Sequence, residues 1–356
     1  PAGEVGELTR SFGLDFRQLE NVPLMAADQT RGGKRTGLPG YLLGSLSPLI
    51  AELKASGCQI VHTNDGRMHG NWALATKLAG RKLVWHQRGD PNGKAVNLLA
   101  PALADHIVSV SEFSRPAKPL WPIAQKFSVV RSPFEFASPR PTQAAGRAAI
   151  LKQLSLPDDA LLLGYFGSLT TRKRPSHFVR AVQKIAGALP GRSVHGLLYG
   201  APENPAQRLD AECLDLARDL GIAGNIHLMG FQRPIEAFIA GVDFVLVTAL
   251  GEPFGRTLIE AMYLGAPVIA TRHGGNIEAI RDGVNGVLVD TDDPAAFVAP
   301  VLRLRSDPDA LEAMVAAART HVLANFGTQK HAASMMAIYD RVLGAPRPAE
   351  VQNATT

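Results

Sequence analysis

The residues best placed for chemistry lie in one short run, 251–265, GEPFGRTLIEAMYLG. Glu252 sits in a loop after the apolar run 243–249, and Glu260 falls about one turn into a helical pattern that starts at Arg256 or Thr257. The first turn of that helix, Arg256, Thr257 and Leu258, offers backbone N–H groups without intrahelical partners at the positive end of the helix dipole, a seat for phosphate. Gly255 removes a side chain where a ligand would approach, and the backbone around Phe254 and Gly255 is free to bond it. Carboxylates at 252 and 260 can accept hydrogen bonds from sugar and ribose hydroxyls. Taken singly, each glutamate reads equally as a stabilising acid at a helix start or on a helix face. The strand–loop–helix setting is what makes the segment a candidate site.

A second candidate is 164–175, GYFGSLTTRKRP, where Gly167 ends an apolar run and Ser168 opens a loop carrying Arg172, Lys173 and Arg174. Clustered cations at the carboxyl end of a strand suit a diphosphate, although an isolated basic loop is also an ordinary solvated surface. A third is 85–90, WHQRGD, with His86 at a strand's carboxyl end, either facing a site or hydrogen-bonded in a loop. Asp65, Arg67 and His69 could line an acceptor site or serve the structure. Phe231, after the run 225–230, could edge a binding site or pack in the core.

These residues need strand ends to hold them, and the chain supplies them. Apolar runs at 59–64, 82–87, 106–111 and 127–132 precede a Pro-rich stretch around 131–140; runs at 161–167, 195–200, 225–230, 243–249, 267–271 and 286–290 follow it. Most are continuous rather than alternating, the pattern of strands covered on both faces. Helical patterns separate them, at 71–79 and 95–100 for example, which predicts two α/β units with doubly wound parallel sheets. The expected division is 1–133 for the first unit and 134–329 for the second, a helix at 330–345 returning to the first, and a polar tail at 346–356. Four runs are few for the first unit, and one further strand–helix unit, roughly 30 residues or more, would complete it. A helix capped by Ser111 is expected after 106–111.

In order, E-P-F-G-x-x-x-x-E at 252–260, GAPVIATRHGGNIE at 265–278 and DGVNGVLV at 282–289 resemble the signature of the family 4 retaining glycosyltransferases of the GT-B fold. The resemblance runs from about Val61 to Tyr339 and is densest between Gly164 and Asp290. It implies two Rossmann-like domains facing a cleft, and transfer of a sugar with retention from a nucleoside diphosphate sugar, UDP- or GDP-linked, to a hydroxyl of a glycan or lipid-linked acceptor. Bacterial polysaccharide, lipopolysaccharide or glycolipid synthesis is the expected setting. Residue by residue, it implies that Arg172 and Lys173 neutralise the diphosphate, Glu252 holds the sugar, Glu260 the ribose, and His86 faces the sugar across the cleft. Gly167, Ser168 and Phe231 would lie against the donor, with Phe231 on its base. Many members have glycine where Arg174 stands. The alternatives are an enzyme of this fold with other chemistry, such as a sugar-phosphate synthase or epimerase, or a non-catalytic sugar-nucleotide-binding or scaffolding protein.

Composition narrows the partners. The 356 residues are 46% hydrophobic and 19% charged, an ordinary globular mixture, with a net charge of +5 that suits anionic ligands or acidic lipid headgroups. No basic run interleaved with aromatics points to nucleic acid. Cys58 and Cys213 make neither a disulfide framework nor a metal knuckle, and fit a reducing cytoplasm. Asp290 and Asp292 spell a D-x-D pattern that elsewhere binds a metal, but Asp292 or Asp293 is better explained as an N-cap, so no metal and no cofactor is expected. Without a P-loop or a helix-opening G-x-G-x-x-G, neither NTPase nor dehydrogenase chemistry is indicated. Peripheral contact with the inner membrane face fits the basic balance.

Overall fold

The computed structural model describes residues 3–19, 22–25, 36–64, 66–136 and 138–344. Asp65, the side chain of Arg67 and the tail 346–356 lie outside the described residues.

All ten apolar runs form strands, in two parallel sheets. β1 (Ile60–Thr63), β2 (Lys82–Gln87), β3 (His106–Ser109) and β4 (Phe127–Val129) lie side by side in sequence order. The second sheet holds β5 (Leu161–Phe166), β6 (Val194–Tyr199), β7 (Ile226–Gly230), β8 (Phe244–Val247), β9 (Val268–Thr271) and β10 (Val287–Val289). Its order is β10-β9-β8-β5-β6-β7, so the winding direction reverses between β5 and β8.

Every residue of β5 and β6 is buried, which explains their largely apolar sequence. Alternation sends Leu162, Leu197 and Val245 to one face, against Leu258 and Met262 of the helix Arg256–Leu264. Leu163, Leu198 and Leu246 go to the other, against Phe178 and Val182 of the helix Pro175–Ala188. Burying each such side chain stabilises by about 1.5–3 kcal/mol before entropy is counted.

In the first unit, Leu83 and Trp85 of β2 pack with Ile107 and with Val96 of the helix Lys94–Leu103. Val84 points the other way and meets Val108, Val130, Met335 and Ile338. The last two belong to the helix Thr328–Leu343, which therefore packs on the first sheet. The chain passes between the units twice, and the crossings touch: Phe134 N donates to Phe326 O (2.9 Å), and His331 Nδ1 lies 2.8 Å from Arg131 O.

The helix expected after β3 does not form. Ser111 Oγ accepts from Ser114 N at 3.1 Å as a cap would, but Arg115 N reaches only Glu112 O and the turn ends there. Pro116 is the reason, since proline pushes its predecessor out of the helical region and has no N–H to continue a ladder. The exposed amides of this turn find another acceptor: Glu112 N (2.9 Å) and Phe113 N (2.8 Å) donate to the two carboxylate oxygens of Glu278, across from the second unit.

Candidate functional site

A reversal of strand order opens a crevice at the strands' carboxyl ends, because the connections leave in opposite directions. Here that point lies between β5 and β8. β5 is followed by Gly167, whose φ of +138° few side chains tolerate; a Cβ there would collide with Lys173 Nζ. The chain then turns, and Thr170 Oγ1 accepts from Lys173 N at 3.3 Å, capping the short turn Thr171–Lys173. Two bonds sew this turn to the loop after β8: Leu250 N donates to Arg172 O (2.9 Å), and Thr248 Oγ1 donates to Lys173 O (2.9 Å). Arg172 Nη1 consequently meets Glu252 Oε2 at 2.5 Å. Arg174 goes elsewhere: its Nη1 donates to Thr291 O at 2.6 Å and Nη2 sits 2.9 Å from His177 Nδ1.

The loop 251–255 is clamped from behind. Gly275 N donates to Glu252 O (2.7 Å), and a Cβ on Gly275 would stand 2.7 Å from Pro253 O, so only glycine permits this approach. His273 Nδ1 accepts from Gly251 N at 2.9 Å, while the Phe113 ring of the first unit meets the His273 ring edge-on, with centroids 5.6 Å apart. Gly255 then caps the helix Arg256–Leu264 without a side-chain acceptor, leaving its leading N–H groups directed at the crevice.

Two cavities adjoin at this helix tip. The smaller, about 220 Å³, is lined by Tyr165, Arg172, Thr248, Glu252, Gly255 and Leu258 among others. The larger, about 500 Å³, is lined by Gly167, Tyr199, Phe231, Gln232, Ile235 and Glu260 among others. Ser168, Lys173, Glu203, Arg256 and Thr257 line both. The two glutamates are thus divided, one to each cavity, with Lys173 and the helix tip between. Burial pushes the Glu260 carboxyl up, against the opposing pull of Arg256. Phe231 is 72% exposed at the rim of the larger cavity, which settles its packing: it is not a core residue. A further cavity of about 420 Å³ opens at the opposite, amino ends of β5, β8 and β9. Part of its polar wall is committed to structure, with Arg147 bonded to both oxygens of Asp243 and to the carbonyls of Asp158 and Ala160.

The structure resolves the open readings of Phe254 and His69 and corrects the expectation for His86. The Phe254 side chain lines neither cavity; it is buried between Phe134 (6.2 Å) and Phe326 (5.6 Å) and anchors the loop, which leaves only its backbone for a ligand. His86 is fully buried and also lines neither cavity. It shares a face of β2 with Val84, the face covered by the helix Thr328–Leu343. Its Nδ1 lies 3.1 Å from His62 Nε2, and His62 Nδ1 lies 2.6 Å from the Tyr339 hydroxyl. Burial first, then Arg88 and the neighbouring imidazoles, push His86 down to about 2 and His62 to about 4, so both are neutral. His69 is buried too, stacked on Trp85 at 4.1 Å with Thr63 Oγ1 2.6 Å away, inside the first unit rather than on a cleft wall. The D-x-D segment resolves as read: Asp293 Oδ1 accepts from Ala295 N at 2.8 Å as an N-cap.

Sequence reasoning missed Glu203 and Tyr199, at and just beyond the carboxyl end of β6. The rule that ligands sit at such ends could have found them. It also missed Glu278 as the acceptor that joins the units.

Residues 160–307 match the model of a family described as Glycosyl transferases group 1, so the resemblance read from the motifs is borne out over the second unit. A relative named D-inositol 3-phosphate glycosyltransferase, from Thermobispora bispora, is 32% identical over 203 residues, covering 56% of this chain and 47% of its own. The chain spans about half the length of the curated relatives it matches. Among solved structures, Anabaena Alr3699/HepE in complex with UDP and glucose superposes with a TM-score of 0.72 at 22% identity, over 86% of this chain and 83% of that one. A glycosyltransferase from Rickettsia africae gives 0.75 at 17%, over 99% and 89%. These likenesses show the fold, the GT-B arrangement of two Rossmann-like sheets.

Proposed function

We propose that this chain transfers a glycosyl unit from a nucleoside diphosphate sugar, UDP- or GDP-linked, to a hydroxyl of a glycan or lipid-linked acceptor, with retention and without a metal. The observation that carries the proposal is the division of the two acids between adjoining cavities on either side of Lys173 and the helix tip. A nucleotide sugar has that layout: two hydroxylated rings joined by a diphosphate. The smaller cavity would take the sugar on Glu252. The larger would take the nucleoside, with its ribose on Glu260 and its base at Phe231. The C1–oxygen bond breaks with its electron pair going to the diphosphate, whose growing charge Lys173, Arg172 and the leading N–H groups stabilise. The acceptor oxygen bonds to C1 from the same face, and its proton passes to the departing phosphate. Arg172 also orients Glu252 through their charge-assisted bond. His86 lies too deep for a sugar contact and is assigned none.

The printed names of the curated relatives, which act on a phosphorylated polyol, and the UDP and glucose of the Anabaena complex support this class of substrate. The test is product formation: donor and candidate acceptors are incubated with the chain and analysed for a new glycoside, its anomeric configuration and resistance to chelator. Donor binding without any glycoside would favour the sugar-nucleotide-binding alternative.

The proposal includes a peripheral contact with an acidic cytoplasmic membrane face. No helix among the described residues is long and apolar enough to cross a membrane. Leu98, Leu120 and Trp121 are exposed near the cations Lys94 and Lys118, and the loop bearing Trp121 is tied to the helix Lys94–Leu103 by Leu120 N to Asn97 O (2.8 Å) and Lys118 N to Asn97 Oδ1 (2.7 Å). Such a mixed patch suits an anionic interface. Co-sedimentation with anionic vesicles should fall in Trp121→Ala; no binding by the unaltered chain sinks this part.

A further inference from the structure

Arg88 stands one residue past β2 and is not part of the candidate set above. Its Nε donates to Asn64 Oδ1 (2.7 Å) and its Nη1 to Ser132 Oγ (3.0 Å). Both acceptors are neutral, and no ion pair is formed by Arg88 among the described residues, so its charge is oriented without being neutralised. Two residues beyond Ser132, the Phe134 ring carries the Arg256 guanidinium of the second unit, 4.6 Å from its centroid. The segment 132–134 therefore seats one guanidinium from each sheet. Arg256 lines both cavities, and its nearest carboxylate, Glu260, is 3.9 Å away. Burial and the proximity of Arg256 both push Arg88 down from its ordinary range. Two like charges held this way repel, and an anion placed against them removes the repulsion. Guanidinium forks match phosphate oxygens in geometry as well as charge.

We infer that Arg88 is a phosphate-binding residue, reaching from the first unit to complete, with Arg256, an anion site at the mouth of the two cavities. The inference rests on the nucleotide-sugar reading for its place in catalysis, though not for its test. The phosphate has two possible sources, the diphosphate of the donor or a phosphate carried by the acceptor, and they are separable. Calorimetric titrations of the full chain would use UDP and GDP, each alone, and inorganic phosphate added to the chain with and without the nucleotide. The variants are Arg88→Gln, which removes the charge and keeps a donor for Ser132, and Arg88→Lys, which keeps the charge.

If the donor supplies the phosphate, Arg88→Gln weakens the nucleotide by about tenfold or more, and Arg88→Lys, melting at the unaltered temperature, recovers part of the loss. If the acceptor supplies it, the nucleotide binds Arg88→Gln normally while inorganic phosphate binding is lost. Unaltered affinity for nucleotide and phosphate in Arg88→Gln overturns the inference and leaves the transfer reading intact. Phosphate binding that depends on Arg88, in a chain that ignores both UDP and GDP, sinks the transfer reading and keeps the inference. A chain that binds neither nucleotide nor phosphate overturns both.

Discussion

The two units share one construction, yet the ends of their strands present different things. In the second, β5 and β8 open onto cavities whose walls carry Lys173, Glu252 and Glu260. In the first, the end of β2 closes over His86, which packs beneath the C-terminal helix with His62 and Tyr339. Strand order explains the contrast. Among the described residues β1 to β4 lie in sequence order, whereas the second sheet reverses between β5 and β8 and so leaves a crevice. A parallel sheet does not bring a site with it; a change of winding direction does. The first unit contributes groups that reach outward instead, namely Arg88 and the two amides that hold Glu278.

Four measurements would break or sharpen this contrast. The largest effect is expected from Lys173→Ala, which should cut transfer by about 10²–10³-fold with an unchanged melting profile; near-normal turnover would mean that the second unit's cavities are not where the charge develops. Next, Ile338→Ala should destabilise the first unit by about 2–5 kcal/mol through lost packing under β2 and β3. Hydrogen exchange should rise there and stay unchanged in β5 and β6; uniform loosening would show that the units do not unfold separately.

Acid stability comes third. An unfolded imidazole titrates near 6.5, while folded His62 is held at about 4 and His86 at about 2. Below pH of about 6.5 the unfolded chain therefore binds more protons, and stability falls as pH drops, by up to about 1.4 kcal/mol per pH unit for each such imidazole. For His62 this continues down to about pH 4. His86→Phe should remove one imidazole's share of the slope in acid denaturation curves; an unchanged slope would put His86 in contact with solvent and erase the contrast. The smallest effect belongs to Asp293→Ala, whose lost cap should cost the second unit about 1 kcal/mol, read as a small drop in the urea midpoint.

The second unit was legible because its chemistry is local. Glu252, the helix tip and Glu260 follow one another through a single strand, loop and helix, and Lys173 follows β5 in the same way. The places that sequence leaves unread depend on distant partners. Nothing near Phe254 announces that Phe134 and Phe326 will enclose it. His86 lies at a strand end as expected, but which face it takes matters only because a helix from the far end of the chain covers that face. Pro116, by contrast, was in plain view, and its effect on the turn at 111–115 follows from proline stereochemistry alone.

The double passage of the backbone between the sheets has a mechanical consequence. One strand of chain between two bodies acts as a swivel, free to twist. Two strands fastened to each other, as Phe134 is to Phe326 and His331 to Arg131, act as the leaves of a door hinge. Swinging is permitted and screwing is resisted, so Arg88 and Arg256, mounted beside that pin, should keep their spacing while the outer lips of the cleft travel farthest.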